Sequence, residues 1–150
     1  MLKMSRLADY ATIIMNTLTT NPEQIFSSAE VAKKTHITTP TVSKVLKMLS
    51  EAKLVSSVRG NLGGYKMARA PQEITLIDII AAIDGQLAVT ECNNMNTVCT
   101  HDQNCALKHN WRTVNQVFLE ILRKVTLADM NKPLSKNHLE KLINNEKLNA

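Results

Sequence analysis

Along residues 5–20, Leu7, Ala11, Ile14 and Leu18 recur at intervals of four, three and four, which lays them on one face of a helix. Asn21-Pro22 stops that helix. Ser27 with Glu30 three residues later forms a capping-box pattern and opens a short helix running to about Lys34. After a turn at His36-Ile37-Thr38, Thr39 is expected as an N-cap with Pro40 at the first helical position. Val42, Val45, Leu46 and Leu49 then supply the inward face of a helix ending near Ala52.

The period changes after Ala52. Residues 54–58, Leu-Val-Ser-Ser-Val, suit a short strand, and Tyr65-Lys66-Met67-Ala68 suits its return. Between them Arg59-Gly60-Asn61-Leu62-Gly63-Gly64 holds three of the four glycines of the chain. Thr75 and Asp78 cap a further helix, about 76–84, which Gly85 terminates. Residues 86–104 show neither period and predict a loop. Beyond it Trp111, Val114, Phe118, Ile121 and Val125 are spaced three, four, three and four, an a/d seam over about two heptads. From Asn131 onward the chain is polar, rich in Asn and Lys, and is expected to fray.

Composition narrows the class. The chain has 150 residues, of which 44% are apolar, enough for one hydrophobic core with a helical extension. A net charge of +5 and a pI near 9.2 favour an anionic partner. Only 3% of residues are aromatic, which counts against stacking platforms for single strands. No window holds 18 consecutive apolar residues, so no membrane partner is expected. The first residues, Met1-Leu2-Lys3-Met4-Ser5-Arg6, lack the unbroken apolar core of a secretory signal. The odd cysteine count, confined to residues 92–105, fits metal binding in a reducing cytoplasm better than disulfides.

Helix, short helix, turn, helix, hairpin is the order of a winged helix-turn-helix. A recognition helix buries one face while its other face offers short polar and cationic groups to the major groove of double-stranded DNA. The helix from residue 39 meets this with Thr39, Thr41, Ser43, Lys44 and Lys47 outward and no acidic residue among them. A wing needs a tight loop near phosphate and a cation able to enter the minor groove. Gly60, Gly63 and Gly64 supply the first and Arg59 the second. Either feature alone is compatible with an ordinary solvated helix or a plain turn; together they point to DNA.

Cys92, Cys99 and Cys105, separated by six and five residues, put three soft thiolates in one loop. Thiolates select iron–sulfur clusters, zinc or copper(I). The close cysteine pair typical of a structural zinc site is absent, which leans the reading toward a cluster.

The segment Leu54-Val-Ser-Ser-Val-Arg-Gly-Asn-Leu-Gly-Gly-Tyr65 closely resembles the wing signature of the Rrf-two family, the bacterial regulators typified by IscR and NsrR. Asp9-Tyr10-Ala11, the Thr-Pro-Thr-Val-Ser-Lys stretch from Thr39 and the cysteine-to-tryptophan segment fall where that family has them, so the resemblance spans about residues 1–130. The opening twelve residues look most like the branch that regulates the suf cluster-assembly operon. The resemblance implies a homodimeric transcription regulator, a repressor, on a partly palindromic operator, with an iron–sulfur cluster, either [2Fe-2S] or [4Fe-4S]. It also implies a fourth ligand. IscR-like members carry a histidine three residues after the third cysteine, where this chain has Lys108, and His109 is displaced by one. If the helix already began at Cys105, His109 would share its face. NsrR-like members use an aspartate of the first helix from the other subunit, a position that Asp9 matches, and Asp9 is preferred. His101 ranks behind both, and His36 and His138 are read as surface residues.

The expected fold is therefore mostly α with a small β-hairpin wing. Residues 1–85 form the DNA-binding domain, 86–105 the cluster loop, 106–130 a long dimerisation helix and 131–150 a flexible tail. The two recognition helices would then read half-sites about 34 Å apart. A cluster holding the loop against the partner's first helix would change the spacing of the two heads. No small-molecule substrate is expected. The same architecture also suits a sensor of nitric oxide or redox state. From another class, a small zinc or iron–sulfur carrier with a basic docking face fits the composition. Catalysis by Cys105 with His109 lacks an orienting third group.

Overall fold

The computed structural model describes residues 4–90, 93 and 105–144. The elements run α1 (Arg6–Leu18), α2 (Ser28–Thr35), α3 (Thr39–Glu51), β1 (Val55–Val58), β2 (Gly64–Met67), a short 3-10 turn (Pro71–Glu73), α4 (Leu76–Asp84), α5 (Lys108–Lys124), α6 (Leu127–Met130) and α7 (Lys136–Asn144). This is the expected mostly helical chain with one antiparallel hairpin.

Helix boundaries follow from side chains that take up orphan backbone donors. The Ser5 hydroxyl accepts from the Ala8 N–H at 3.1 Å and starts α1. At α2 the Ser27 N–H donates to the Glu30 carboxylate at 2.7 Å while Ser27 Oγ accepts from the Glu30 N–H at 3.2 Å. The same reciprocal pair, Thr75 with Asp78, opens α4. In α3 the expectation is corrected by one residue. Thr38 is the N-cap, Thr39 is already helical, and the Thr38 hydroxyl lies 2.9 Å from that of Thr41 rather than on the backbone.

The core is where the periodicity put it. Ala11, Ile14 and Leu18 of α1 and Val42, Val45, Leu46 and Leu49 of α3 are buried with Phe26, Val31, Leu54, Ile74, Ile79 and Leu127. The hairpin pairs Val55 with Met67 through Val58 with Gly64. A third segment joins it, since the Phe26 and Tyr65 backbones exchange hydrogen bonds of 2.9 and 2.8 Å.

Two C-terminal expectations are corrected. The seam helix ends at Lys124 rather than running on to residue 130, because Val125 turns extended and a new capping box, Thr126 with Asp129, starts α6. Burial drives this break: Val125 and Leu127 are 3% and 0% exposed, and the extended link carries them back into the core. There the Leu76 N–H donates to the Val125 carbonyl at 2.9 Å, and the Leu127 N–H to that of Ile74 at 2.8 Å. Residues 136–144 of the supposed tail form α7, which packs on α5, with Lys124 Nζ donating to the Ile143 carbonyl at 3.5 Å. No described helix is long and apolar enough to cross a membrane.

Candidate nucleic-acid interface and metal ligands

The four buried positions of α3 fix the orientation of the rest. Thr39, Lys44 and Lys47 are exposed, and Thr41 and Ser43 are half-buried beside them. Glu51, the last residue of α3, is its one carboxylate. Arg59 is exposed at the foot of the hairpin loop, and Leu62 at its tip is 91% exposed. The loop closes through the Gly63 N–H, which donates to the Gly60 carbonyl at 2.9 Å.

The three wing glycines do different work. Gly60 has φ +117°, with open space where a side chain would go. A Cβ on Gly63 would overlap the Val58 carbonyl, and one on Gly64 would overlap the Phe26 carbonyl. Gly64 thus admits the third strand segment against the hairpin. The structure gives Gly63 and Gly64 a packing role beside the phosphate approach expected of the wing.

Of the expected metal ligands, Cys105 is half-buried three residues before α5, and Asp9 and His109 are exposed in the first turns of α1 and α5. Cys92, Cys99 and His101 lie outside the described residues. Because α5 begins at Lys108, Cys105 is not helical, and the shared-face argument for His109 is corrected. Among the described residues no three potential ligands converge, so Asp9, Cys105 and His109 do not assemble a site within one protomer.

Two polar groups tie the start of the 86–105 segment and the helix before it to other helices. Asp84, the last residue of α4, accepts from the backbone N–H of Ser5 at 3.2 Å and from its hydroxyl. The Asn115 amide oxygen accepts from the Val89 N–H at 2.8 Å. Asn115 is the one buried polar side chain among the described residues, and sequence reasoning missed it because a lone Asn in a helix carries no pattern.

Leu107 at the cap of α5 and Trp111, Val114 and Val117 on it are 57%, 40%, 50% and 48% exposed, an apolar stripe along its first turns. Phe118 and Ile121 are half-buried, where α4 and α7 pack. Val125, assigned to the seam from its spacing, is instead buried, its carbonyl accepting from the Leu76 N–H.

Residues 4–133 match the family model described as Rrf2, iron-dependent transcriptional regulator. The chain belongs to the Rrf2 family. The solved structure of T. potens IscR superposes with a TM-score of 0.66 at 31% identity, covering 86% of this chain and 85% of that one. CymR, the global cysteine regulator of B. subtilis, gives a TM-score of 0.70 at 28% identity, covering 87% and 97%. NsrR of Bacillus licheniformis, an HTH-type transcriptional regulator, is 25% identical over 144 residues, 95% of this chain and 99% of that protein. The protein is thus a DNA-binding transcription regulator with a winged-helix fold, and not an enzyme.

Proposed function

We propose that this regulator is a cytoplasmic homodimeric repressor that responds to iron–sulfur cluster status and controls cluster-assembly (suf) genes through a partly palindromic operator. The observation that carries the reading is the solvent-facing set of Thr39, Thr41, Ser43, Lys44 and Lys47 on α3 together with exposed Arg59 on the wing, three cations and no carboxylate among them. The helix is read as entering the major groove and the wing as following the backbone into the minor groove. Dimerisation is supported by the exposed apolar stripe of α5, a surface that a second copy would cover.

For the signal, the donor chemistry fits a cluster. Three thiolates, Cys92, Cys99 and Cys105, would hold it, with Asp9 of the partner subunit as fourth ligand and His109 as the alternative. Asp9 is exposed and joins no group of three donors among the described residues, which favours its delivery across the interface. When bound, the cluster supplies a centre whose charge and ligation change with oxidation or loss of iron. The chain does the rest. Asn115 holds Val89 to α5, and Asp84 holds the end of α4 to the α1 cap, so strain in the intervening segment reaches both the dimer stripe and the helix under α3.

A second reading, a sensor of nitric oxide or redox state, is favoured by the near end-to-end likeness to NsrR. Kinship alone does not choose a signal, since a neighbour of the same fold is named for cysteine regulation. The test is anaerobic purification from iron-replete cells, followed by absorption and Mössbauer spectroscopy with iron and sulfide analysis. The protein should be coloured, and replacing Cys92, Cys99 or Cys105 by Ala should abolish the visible band. Colourless protein devoid of iron and sulfide would reject the cluster; nitric oxide, in place of cluster loss, releasing DNA would select the second reading.

A further inference from the structure

A cleft of about 370 Å³ opens between the first turns of α1 and the turn that joins α2 to α3. Arg6, Leu7 and Tyr10 line it from α1, and His36, Ile37, Thr38 and Thr41 from the turn and the start of α3. None of these groups is needed by the recognition helix or the wing, except Thr41, which belongs to both surfaces.

The lining is chemically one-sided. Arg6 and His36 bring nitrogen donors, and Tyr10, Thr38 and Thr41 bring hydroxyls, while no carboxylate lines the cleft. Arg6 and His36 have no ion-pair partner among the described residues. The Thr38 hydroxyl engages Thr41 at 2.9 Å and leaves the backbone alone, so the hydroxyl pair faces the cleft as one polar edge. His36 holds this edge in place through a left-handed backbone, φ 57°, which lets α2 end and α3 begin within three residues.

Position says what the cleft meets. A recognition helix seated in the major groove has its first residues flanked by the sugar–phosphate wall, and Thr38 and Thr41 are where the cleft joins α3. A phosphodiester carries one charge and oxygen acceptors only, which matches a pocket of donors without carboxylates.

We propose that Arg6, Tyr10 and His36 form a seat for a backbone phosphate of the duplex, a third anchor beside α3 and the wing. This rests on the DNA-binding surface proposed above. The seat positions the recognition helix and carries no base preference.

The test uses the full chain and fluorescence anisotropy on two duplexes, the genomic fragment most enriched by the protein and a mixed-sequence duplex of equal length. The variants are Arg6→Gln, Tyr10→Phe and His36→Asn; asparagine keeps the left-handed backbone accessible. Arg6→Gln and His36→Asn should each weaken both duplexes alike, by roughly three- to tenfold, and Arg6→Gln should also flatten the slope of log K against log salt by about 0.9. Unchanged thermal melting should accompany this. If they bind both duplexes like the parent while Lys44→Ala is weakened, the seat is wrong and the recognition surface stands. A loss confined to the enriched fragment would equally overturn it, because that is base readout. If Lys44→Ala and Arg59→Ala also bind like the parent, the DNA surface itself falls and the seat with it.

Discussion

Gly64 sits where two backbones touch, so its lack of a side chain is a packing requirement. Alanine there would push the Phe26 strand away and break its reciprocal bonds with Tyr65. Gly64→Ala should cost about 2–3 kcal/mol in urea unfolding, and Gly60→Ala, strained but unobstructed, only about 1 kcal/mol. Equal losses would show that conformation, not steric overlap, governs the loop. The cations beside it act differently. Lys44→Ala and Arg59→Ala should leave unfolding within about 0.5 kcal/mol of the parent, since both are exposed. They should nonetheless weaken operator binding and reduce its salt slope, measured by anisotropy across a salt series. The sequence named both cations correctly as exposed, because charge and the buried positions around them are local properties. It could not foresee the duty of Gly64, which depends on Phe26 nearly forty residues earlier in the chain.

Among the elements, α6 shows what a short motif controls. Burial pushes the Asp129 carboxyl up, but the Thr126 hydroxyl, the Thr126 N–H and His138 at 3.5 Å outweigh it and hold the group below its ordinary value. A carboxylate whose folded pKa is depressed contributes stability above its unfolded pKa of about 3.9, and that contribution disappears as pH falls through the folded value. Asp129→Asn should therefore lower Tm near neutral pH, with the gap to the parent closing below about pH 4. A gap unchanged down to about pH 3 would assign the loss to packing. The break before α6 was legible: Thr126-Leu-Ala-Asp129 has the same form as the Thr75 and Ser27 boxes. The seam spacing of Trp111 to Val125 hides it, since periodicity records apolar residues without saying which core receives them. The helical periods of α1 and α3 were recovered because their faces bury within one compact unit, and α4 was found from its capping residues. Residues 136–144 were read as frayed because their polar surface dominates; only Leu139 and Leu142 turn toward shelter.

At the scale of the whole molecule, the exposed stripe of α5 makes a concrete demand. Trp111→Glu or Val114→Glu should leave the DNA-binding domain folded and shift sedimentation equilibrium toward the monomer. Operator affinity should then fall by roughly a hundredfold, because two linked half-sites become independent ones. A dimer of parental strength in both variants would move the interface elsewhere. Asn115→Leu asks a separate question. It removes the acceptor for the Val89 N–H without disturbing the stripe, so dimerisation should persist while the 86–105 segment loses its inner tether.

The return of Val125 and Leu127 to Ile74 and Leu76 pins the far end of α5 to the core by two backbone hydrogen bonds. It works as a tiller fixed to its rudder. In the proposed dimer, a small rotation where two such shafts cross would sweep each reading head through a like angle. Glycines spliced between Lys124 and Val125 would loosen that fitting, leaving both heads able to grasp a duplex yet deaf to anything that turns the shaft.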